Sequence, residues 1–207
     1  AWSLTYGDVL GVLQSDETAF ELEEVLELNL MATDVAGNSS STITGSLKVD
    51  RIAPTVSSII YGANDGNLAL GESVNFMVAL SEAVNVTGSP SIALANGGTA
   101  SYSSGSGTSA LTFTYTPAAN QNTTDLATAA ANALIGTIRD LAGNPVTAGG
   151  FNAANPTGTL AVDTVSPTVT GIGGTTSALT NAPISFNVTL NEALSADLGT
   201  GNFTATN

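Results

Sequence analysis

Alternating apolar and polar residues predict β-strands along most of the chain. The clearest run covers residues 73–80, and a matching run covers residues 184–190. Shorter alternating runs cover residues 110–116 and 43–49. Alternation with a period of two places one face of a strand in a core and the other in solvent. Clusters of Gly, Asn, Ser and Thr separate the runs at a spacing typical of sandwiches, so the pattern predicts an all-β sandwich.

Two segments have a mixed pattern. Leu22, Val25 and Leu26 have helical spacing, but the apolar residues alternate from Leu26 onward, so we predict a strand over residues 26–33. The alanine-rich residues 124–133 are compatible with a short helix.

Three short sequence patterns occur twice along the chain, with offsets of 106, 113 and 110 residues. They are the D-x-A-G-N turns at 34–38 and 140–144, the V-D steps ending at Asp50 and Asp163, and the S-E-A and N-E-A elements around Glu82 and Glu192. A period of this size matches one independent domain core. The repeat therefore predicts tandem domains.

The repeat boundaries divide the chain into one whole domain and two halves. Residues 1–50 form the C-terminal half of a domain, residues 51–163 a complete domain, and residues 164–207 the N-terminal half of a third. The joins are very short, which favours a stiff array over flexible linkers. Two explanations of the halves remain: the chain is a window cut from a longer periodic protein, or subunits complete one another head-to-tail.

These patterns carry a resemblance to a known family. The middle domain reads, in order, VDRIAPTVSSI, LSEAV, GTASYSSGSGTSALTFTYT, NTTDL and RDLAGN. It resembles the bacterial Ig-like repeats of giant secreted surface adhesins and biofilm-associated proteins, and the resemblance extends over both partial domains. It implies Ig-like sandwiches in an extended stalk at the cell exterior, often with calcium at the joints.

The charge balance excludes several functional classes. The chain has 3 Lys+Arg against 17 Asp+Glu, a net charge of −14, and neither His nor Cys. Such a charge repels nucleic acid. Histidine- and cysteine-dependent catalysis and conventional zinc sites are also excluded. Because these catalytic residue types are absent, we expect no enzymatic activity. No apolar run is long enough for a membrane helix, so we expect no membrane insertion in this segment.

Strand directions predict where the carboxylates of the middle domain meet. The chain enters this domain after Asp50, at the end that we call the proximal pole. The first strand runs away from that pole and the second returns to it, bringing Glu82 back. The strand before the last also runs toward it, bringing Asp140 and Asn144. Calcium binds six to eight oxygen ligands, so these four residues are a candidate calcium site.

Two other interpretations of this cluster remain. The D-x-A-G-N sequence is also an ordinary turn, in which Asp and Asn bond the local backbone. In addition, Arg51 and Arg139 flank Asp50 and Asp140 and are candidates for salt bridges in place of a metal. Family repeats usually have a small polar residue after the V-D step, as Thr164 is here, so Arg51 departs from the family pattern.

The second joint lacks such an arginine. Asp163 and Glu192 are expected to meet at the proximal pole of the third domain, whose own D-x-A-G-N turn is missing from the sequence. A copy of the turn containing Asp34 and Asn38 would complete this second candidate calcium site, either further along a longer chain or from a neighbouring subunit.

Three functional hypotheses follow. The leading one is a structural repeat segment of an extracellular bacterial surface protein, either an adhesin stalk or a filament building block. The second is a self-assembling filament or surface-layer subunit completed by half-domains of its neighbours. The third is a module that binds a host or surface glycan or protein through its loops. The acidic run at Glu21, Glu23, Glu24 and Glu27 is interpreted as a solvated face.

Overall fold

The computed structural model describes residues 23–174 and 186–194, and nearly all the regular secondary structure within them is β-strand. A single turn of 3₁₀ helix covers Ala148–Phe151. The strands are β1 (Glu23–Leu30), β2 (Ile43–Asp50), β3 (Val56–Tyr61), β4 (Asn67–Ala69), β5 (Val74–Ala93), β6 (Thr99–Ser104), β7 (Thr108–Tyr115), β8 (Leu134–Asp140), β9 (Ala161–Asp163), β10 (Val169–Gly174) and β11 (Phe186–Leu190). The all-β prediction is confirmed.

Strand β5 organises the middle domain because it is 20 residues long and has neighbours on both edges. Its first part pairs antiparallel with β3 and β7, and its second part pairs with β8 and β6. Strands β4 and β9 form a separate parallel pair. Leu68 and Val162 of that pair share one buried cluster with Phe76 and Phe113 of the five-stranded sheet, which makes the domain a sandwich.

The alternating pattern of residues 73–80 predicts its buried face correctly. Val74, Phe76, Val78 and Leu80 are all at most 6% exposed. The ring of Tyr61 packs edge-on against Phe76, with centroids 5.4 Å apart. This strand therefore contributes the centre of the core.

Two sequence-based expectations about elements need correction. The strand predicted over residues 73–80 continues to Ala93, through register shifts between Ala79 and Val84 and between Thr87 and Ser91. Residues 124–133 contain no helix, since their backbone N–H groups bond distant strands and loops. Leu126 N–H, for example, donates to Leu160 O, at 2.8 Å. Long-range pairing outweighs the helix propensity of the alanines.

Two hairpins lie outside the five-stranded sheet, in the segments that the repeat predicts to be partial domains. β1 pairs with β2, and β10 pairs with β11, both antiparallel. Phe186, predicted to face inward, is 65% exposed, because β11 has only β10 as a described neighbour. Glu27 is exposed, as the solvated-face interpretation predicts. The predicted strand start at Ile184 and the acidic Glu21 lie outside the described residues.

The described part of the chain contains no helix with the length and apolar character needed to cross a bilayer.

A glycine packed against a core ring gives a test of the fold. A Cβ atom on Gly98 would lie 2.5 Å from Cε2 of Tyr115, a ring that is 1% exposed. Gly98→Ala is expected to lower the free energy of unfolding by about 1–3 kcal/mol through overpacking. Chemical denaturation followed by circular dichroism measures the loss.

Gly149→Ala is the matched control, since nothing lies within 4 Å of its added Cβ. It should change the free energy of unfolding by less than about 0.5 kcal/mol. Equal stability of the Gly98→Ala variant and the unsubstituted chain would contradict the packing described for Tyr115.

Candidate metal centre

Three carboxylates meet at the joint between residues 23–50 and the middle domain. Asp50 ends β2, Glu82 lies in β5 and Asp140 ends β8, and one ligand oxygen from each lies within 4.8 Å of the others. Asp50 and Glu82 are half-buried, while Asp140 is 4% exposed. The structure thus places together the three acidic residues that strand direction selects.

The strand register explains why they meet. In β5, Leu80 lies opposite the first residue of β3, and Val84 lies opposite the last residue of β8, Asp140. Glu82 lies between these two positions. The proximal pole is therefore where β3 begins, β8 ends and β5 passes between them.

The Asp140 side chain closes a tight turn. Its Oδ1 accepts hydrogen bonds from the backbone N–H groups of Gly143, at 2.6 Å, and Asn144, at 2.8 Å. Its Oδ2 accepts one from Asn144 Nδ2, at 2.7 Å. Gly143 has φ of +100°, a left-handed conformation that favours glycine and accounts for the G of the motif.

These hydrogen bonds keep the carboxylate ionised. Burial alone would raise the pKa of Asp140, but the bonds from Asn144, Gly143 and the Ala142 backbone outweigh it and lower the pKa below its ordinary value. Both carboxylate oxygens therefore hold the turn, and the group keeps the negative charge that a cation would bind.

Asn144 connects the turn to the preceding domain. Its Nδ2 donates to the carbonyl oxygens of Asp50, at 3.1 Å, and Ile52, at 3.3 Å, besides the carboxylate of Asp140. Asp50 in turn accepts a hydrogen bond from Ile52 N–H at 3.0 Å. In this arrangement Asn144 positions Asp140 and fixes the backbone of the joint.

A pocket of about 400 Å³ opens beside the carboxylates. It is lined by Lys48, Asp50, Glu82, Ala83, Leu141 and Ala142. Lys48 is a site residue that the sequence reasoning did not select. Its position two residues before Asp50 on β2 was the available signal, since residues i and i+2 of a strand share a face.

The two flanking arginines differ in their environment. Arg139 Nη1 donates to the carbonyl oxygen of Gly143 at 2.6 Å, which reinforces the turn. Arg51 is exposed. The contact of Arg139 supports the interpretation of D-x-A-G-N as a stabilised turn.

The second joint repeats part of this geometry. Asp163 Oδ1 accepts a hydrogen bond from Val165 N–H at 2.9 Å, as Asp50 does from Ile52. Glu192 is half-buried, and its Oε1 is buried without a hydrogen-bond partner in the described structure. Thr164 is held by Asn122, whose Oδ1 accepts from its N–H and its hydroxyl, both at 2.7 Å.

The remaining predicted residues form an isolated copy of the turn. Asp34 Oδ1 accepts from Asn38 N–H at 2.8 Å, and Asp34 Oδ2 accepts from Asn38 Nδ2 at 2.9 Å. The side-chain bond from Asn38 is the main cause that lowers the pKa of Asp34. Among the described residues of a single chain, the only group of three acidic residues close enough to share a cation is that of the first joint.

Asp140→Asn tests the role of the turn. The variant places an amide N–H₂ opposite the donors of the turn, so at neutral pH without calcium it should lower the free energy of unfolding by about 1–3 kcal/mol. The pKa of Asp140 is lower in the folded chain, so this contribution is complete above the ordinary value of 3.8 and is lost as pH falls through the folded-state value. The difference between the two proteins should shrink in acid.

Denaturation curves in EDTA from neutral pH into acid measure this difference. Asp65→Asn, which alters an exposed side chain with one hydrogen bond to Asn67 N–H, is the control and should have a small effect. A difference for Asp140→Asn that stays constant into acid would contradict the pKa assignment.

Comparisons with known proteins add little to this description. No family model matches the chain, and no curated protein matches it. A solved structure, that of the S-layer protein rSbsC, is similar over 83% of this chain and 29% of its own, with 18% sequence identity and a TM-score of 0.19. A likeness this weak supports neither a fold nor a function.

Proposed function

We propose that the chain is a structural repeat segment of an extracellular bacterial surface protein, an adhesin stalk or filament building block, whose joints are stiffened by calcium. The observation that carries the proposal is the first joint. There, the last residue of one repeat, Asp50, is bonded through its carbonyl to Asn144 of the next and lies beside Glu82 and Asp140.

A cation at this point would act across two repeats. Asp50 belongs to the outgoing strand of one domain, while Glu82 and Asp140 belong to the next. Binding all three would restrict rotation of the joint in a way that a ligand held by one domain would not. A series of such joints gives a rod, which suits a stalk that holds a distal part away from the cell.

The chemistry of the site favours calcium over transition metals. All three charged ligands are carboxylates, and the whole chain has neither His nor Cys. Oxygen ligands suit the hard cations Ca²⁺ and Mg²⁺, and Ca²⁺ takes six to eight of them in flexible geometry. Backbone carbonyls and water would complete the shell, and the adjoining pocket leaves room for them.

The second joint is proposed to bind calcium in the same way. Asp163 and Glu192 occupy positions equivalent to Asp50 and Glu82. The buried Oε1 of Glu192 has no hydrogen-bond partner in the described structure, which is an arrangement that a cation would stabilise. A D-x-A-G-N turn such as that of Asp34 would supply the third carboxylate.

Calcium should stabilise the protein through the first joint. Calcium at 100 times its dissociation constant is expected to add roughly 3 kcal/mol to the free energy of unfolding, and EDTA should remove it. Glu82→Gln should abolish most of the response because it removes one of three charged ligands. Calorimetric melting curves with calcium and with EDTA measure the effect.

Glu72→Gln is the control, since Glu72 accepts a hydrogen bond from Ala69 N–H outside the acidic cluster. Spin labels at Thr44→Cys and Thr87→Cys, both exposed, report the joint directly, and calcium should narrow their distance distribution. Identical melting curves and distributions in calcium and EDTA would refute the calcium joint.

Arg51 provides a second test. Its charge adjoins Asp50, and the equivalent residue at the next joint is Thr164. Arg51→Thr is expected to raise calcium affinity several-fold, since a neighbouring positive charge opposes cation binding. Isothermal titration calorimetry measures the calcium affinity of the variant and of the unsubstituted chain. Thr164→Ser, which keeps a small hydroxyl residue at the other joint, serves as the control. An unchanged or weaker affinity for Arg51→Thr would contradict the prediction.

A further inference from the structure

We propose that the turn formed by residues 34–38 of one copy of the chain docks on the joint containing Asp163 and Glu192 of a second copy, so that the two half-domains form one sandwich. This inference goes beyond the proposed stalk function and does not depend on calcium. It rests on the middle domain, which shows what the completed arrangement looks like.

In the described structure, the turn at residues 34–38 contacts no joint, and the joint of Asp163 and Glu192 has no D-x-A-G-N turn beside it. The turn of Asp34 and Asn38 has the same Asp–Asn hydrogen bonds as that of Asp140 and Asn144, yet Asp34 and Asn38 are both exposed. In the middle domain, Asn144 uses its Nδ2 to hold the carbonyl oxygens of the joint.

The second joint has hydrogen bonds that match those of the first joint. Thr168 exchanges hydrogen bonds with Asn191, its N–H donating to Asn191 Oδ1 and its carbonyl accepting from Asn191 N–H. Thr55 and Ser81 make the same pair of contacts in the middle domain. The same pair of hydrogen bonds is therefore present beside both joints.

Core positions of the complete domain are exposed in the half-domain. Phe76 is 0% exposed, and its counterpart 110 residues later, Phe186, is 65% exposed. Ile59 is 9% exposed, and its counterpart 113 residues later, Ile172, is 69% exposed. These positions are buried in the middle domain, where both halves are present, and exposed where only the N-terminal half is present. The segment that would bury Phe186 and Ile172 is therefore the C-terminal half of a domain.

Strand pairing in the first half-domain points the same way. In the middle domain, β8 pairs with β5 and β9 pairs with β4. The equivalent residues, 28–34 and 48–50, overlap β1 and β2, and these two strands pair with each other instead. Leu194 and Asp34 are the counterparts of the paired residues Val84 and Asp140. Docking therefore exchanges the β1–β2 pairing for pairing with the N-terminal half from the second copy.

The occupant is a second copy because the two halves leave the middle domain from opposite poles. Asp50 lies at the proximal pole beside Asp140. Asp163 lies opposite Ala69, which leads into the start of β5 at the other pole. A turn and a joint at opposite poles make a head-to-tail interface, and such an interface adds copies in one direction.

Cross-linking between copies tests the proposal, since the chain has no cysteine of its own. Ala142 and Ala83 line the same pocket in the middle domain, and their counterparts are Ala36 and Ala193, both exposed. Chains of all 207 residues with Ala36→Cys and Ala193→Cys, one substitution in each, are mixed in EDTA and treated with a short bis-maleimide. A mixed dimer should form, and replacing Ala193→Cys by Ala131→Cys should remove it.

Sedimentation velocity of the same chain adds an independent measurement. The unsubstituted chain should associate with rising concentration, and Asn38→Ala should weaken this association by about tenfold through the lost hydrogen bonds. Asn64→Ala, which removes two local hydrogen bonds from an exposed loop outside both joints, should leave association intact. Loss of association in both variants would overturn the assignment of the turn at residues 34–38.

A monomer at all concentrations, with no mixed cross-link, would overturn the proposal and would mean that the half-domains are completed by other sequences. The calcium joint has a different readout, the response of the melting curve to EDTA, and its failure would leave the cross-link unchanged.

Discussion

The side-chain amide of Asn144 is the contact on which the joint depends. One N–H₂ group reaches the carboxylate of Asp140 and the carbonyl oxygens of Asp50 and Ile52. It thereby fixes three things at once: the shape of the turn, the orientation of the buried carboxylate, and the path of the chain from one repeat to the next. The acidic cluster exists because this amide holds its parts in place.

That arrangement has an electrostatic cost. Two unit charges within 4.8 Å of each other repel by about 3.5 kcal/mol or more at an effective dielectric constant of ~20. The hydrogen bonds that lower the pKa of Asp140 prevent it from relieving this repulsion by taking up a proton near neutral pH. Asp140 therefore stays negative and attracts positive charge. The basic side chain of Lys48 in the same pocket and a bound cation are competing ways to supply that charge.

Much of this could be predicted from the sequence because strand direction is a strong constraint. Alternation located the strands, and the antiparallel order placed Glu82 and Asp140 at the pole where Asp50 enters. The sequence did not predict that β5 continues to Ala93, because a register shift leaves no trace in an apolar pattern. It also did not exclude a helix at residues 124–133, because the hydrogen bonds that prevent one come from residues far away in sequence.

In the proposed assembly of copies, burial of apolar side chains is the driving force. Covering a large apolar side chain contributes about 1.5–3 kcal/mol. Phe186 and Ile172 are exposed where Phe76 and Ile59 are buried, so the half-domain lacks several such contributions that its own sequence is built to gain. A hairpin of two strands is marginally stable by itself. In the middle domain, the C-terminal half of the domain buries the equivalent residues. The first fifty residues of the chain have the sequence of such a half. Hydrophobic burial then supplies the free energy of association, while the Asp–Asn turn determines which face is recognised.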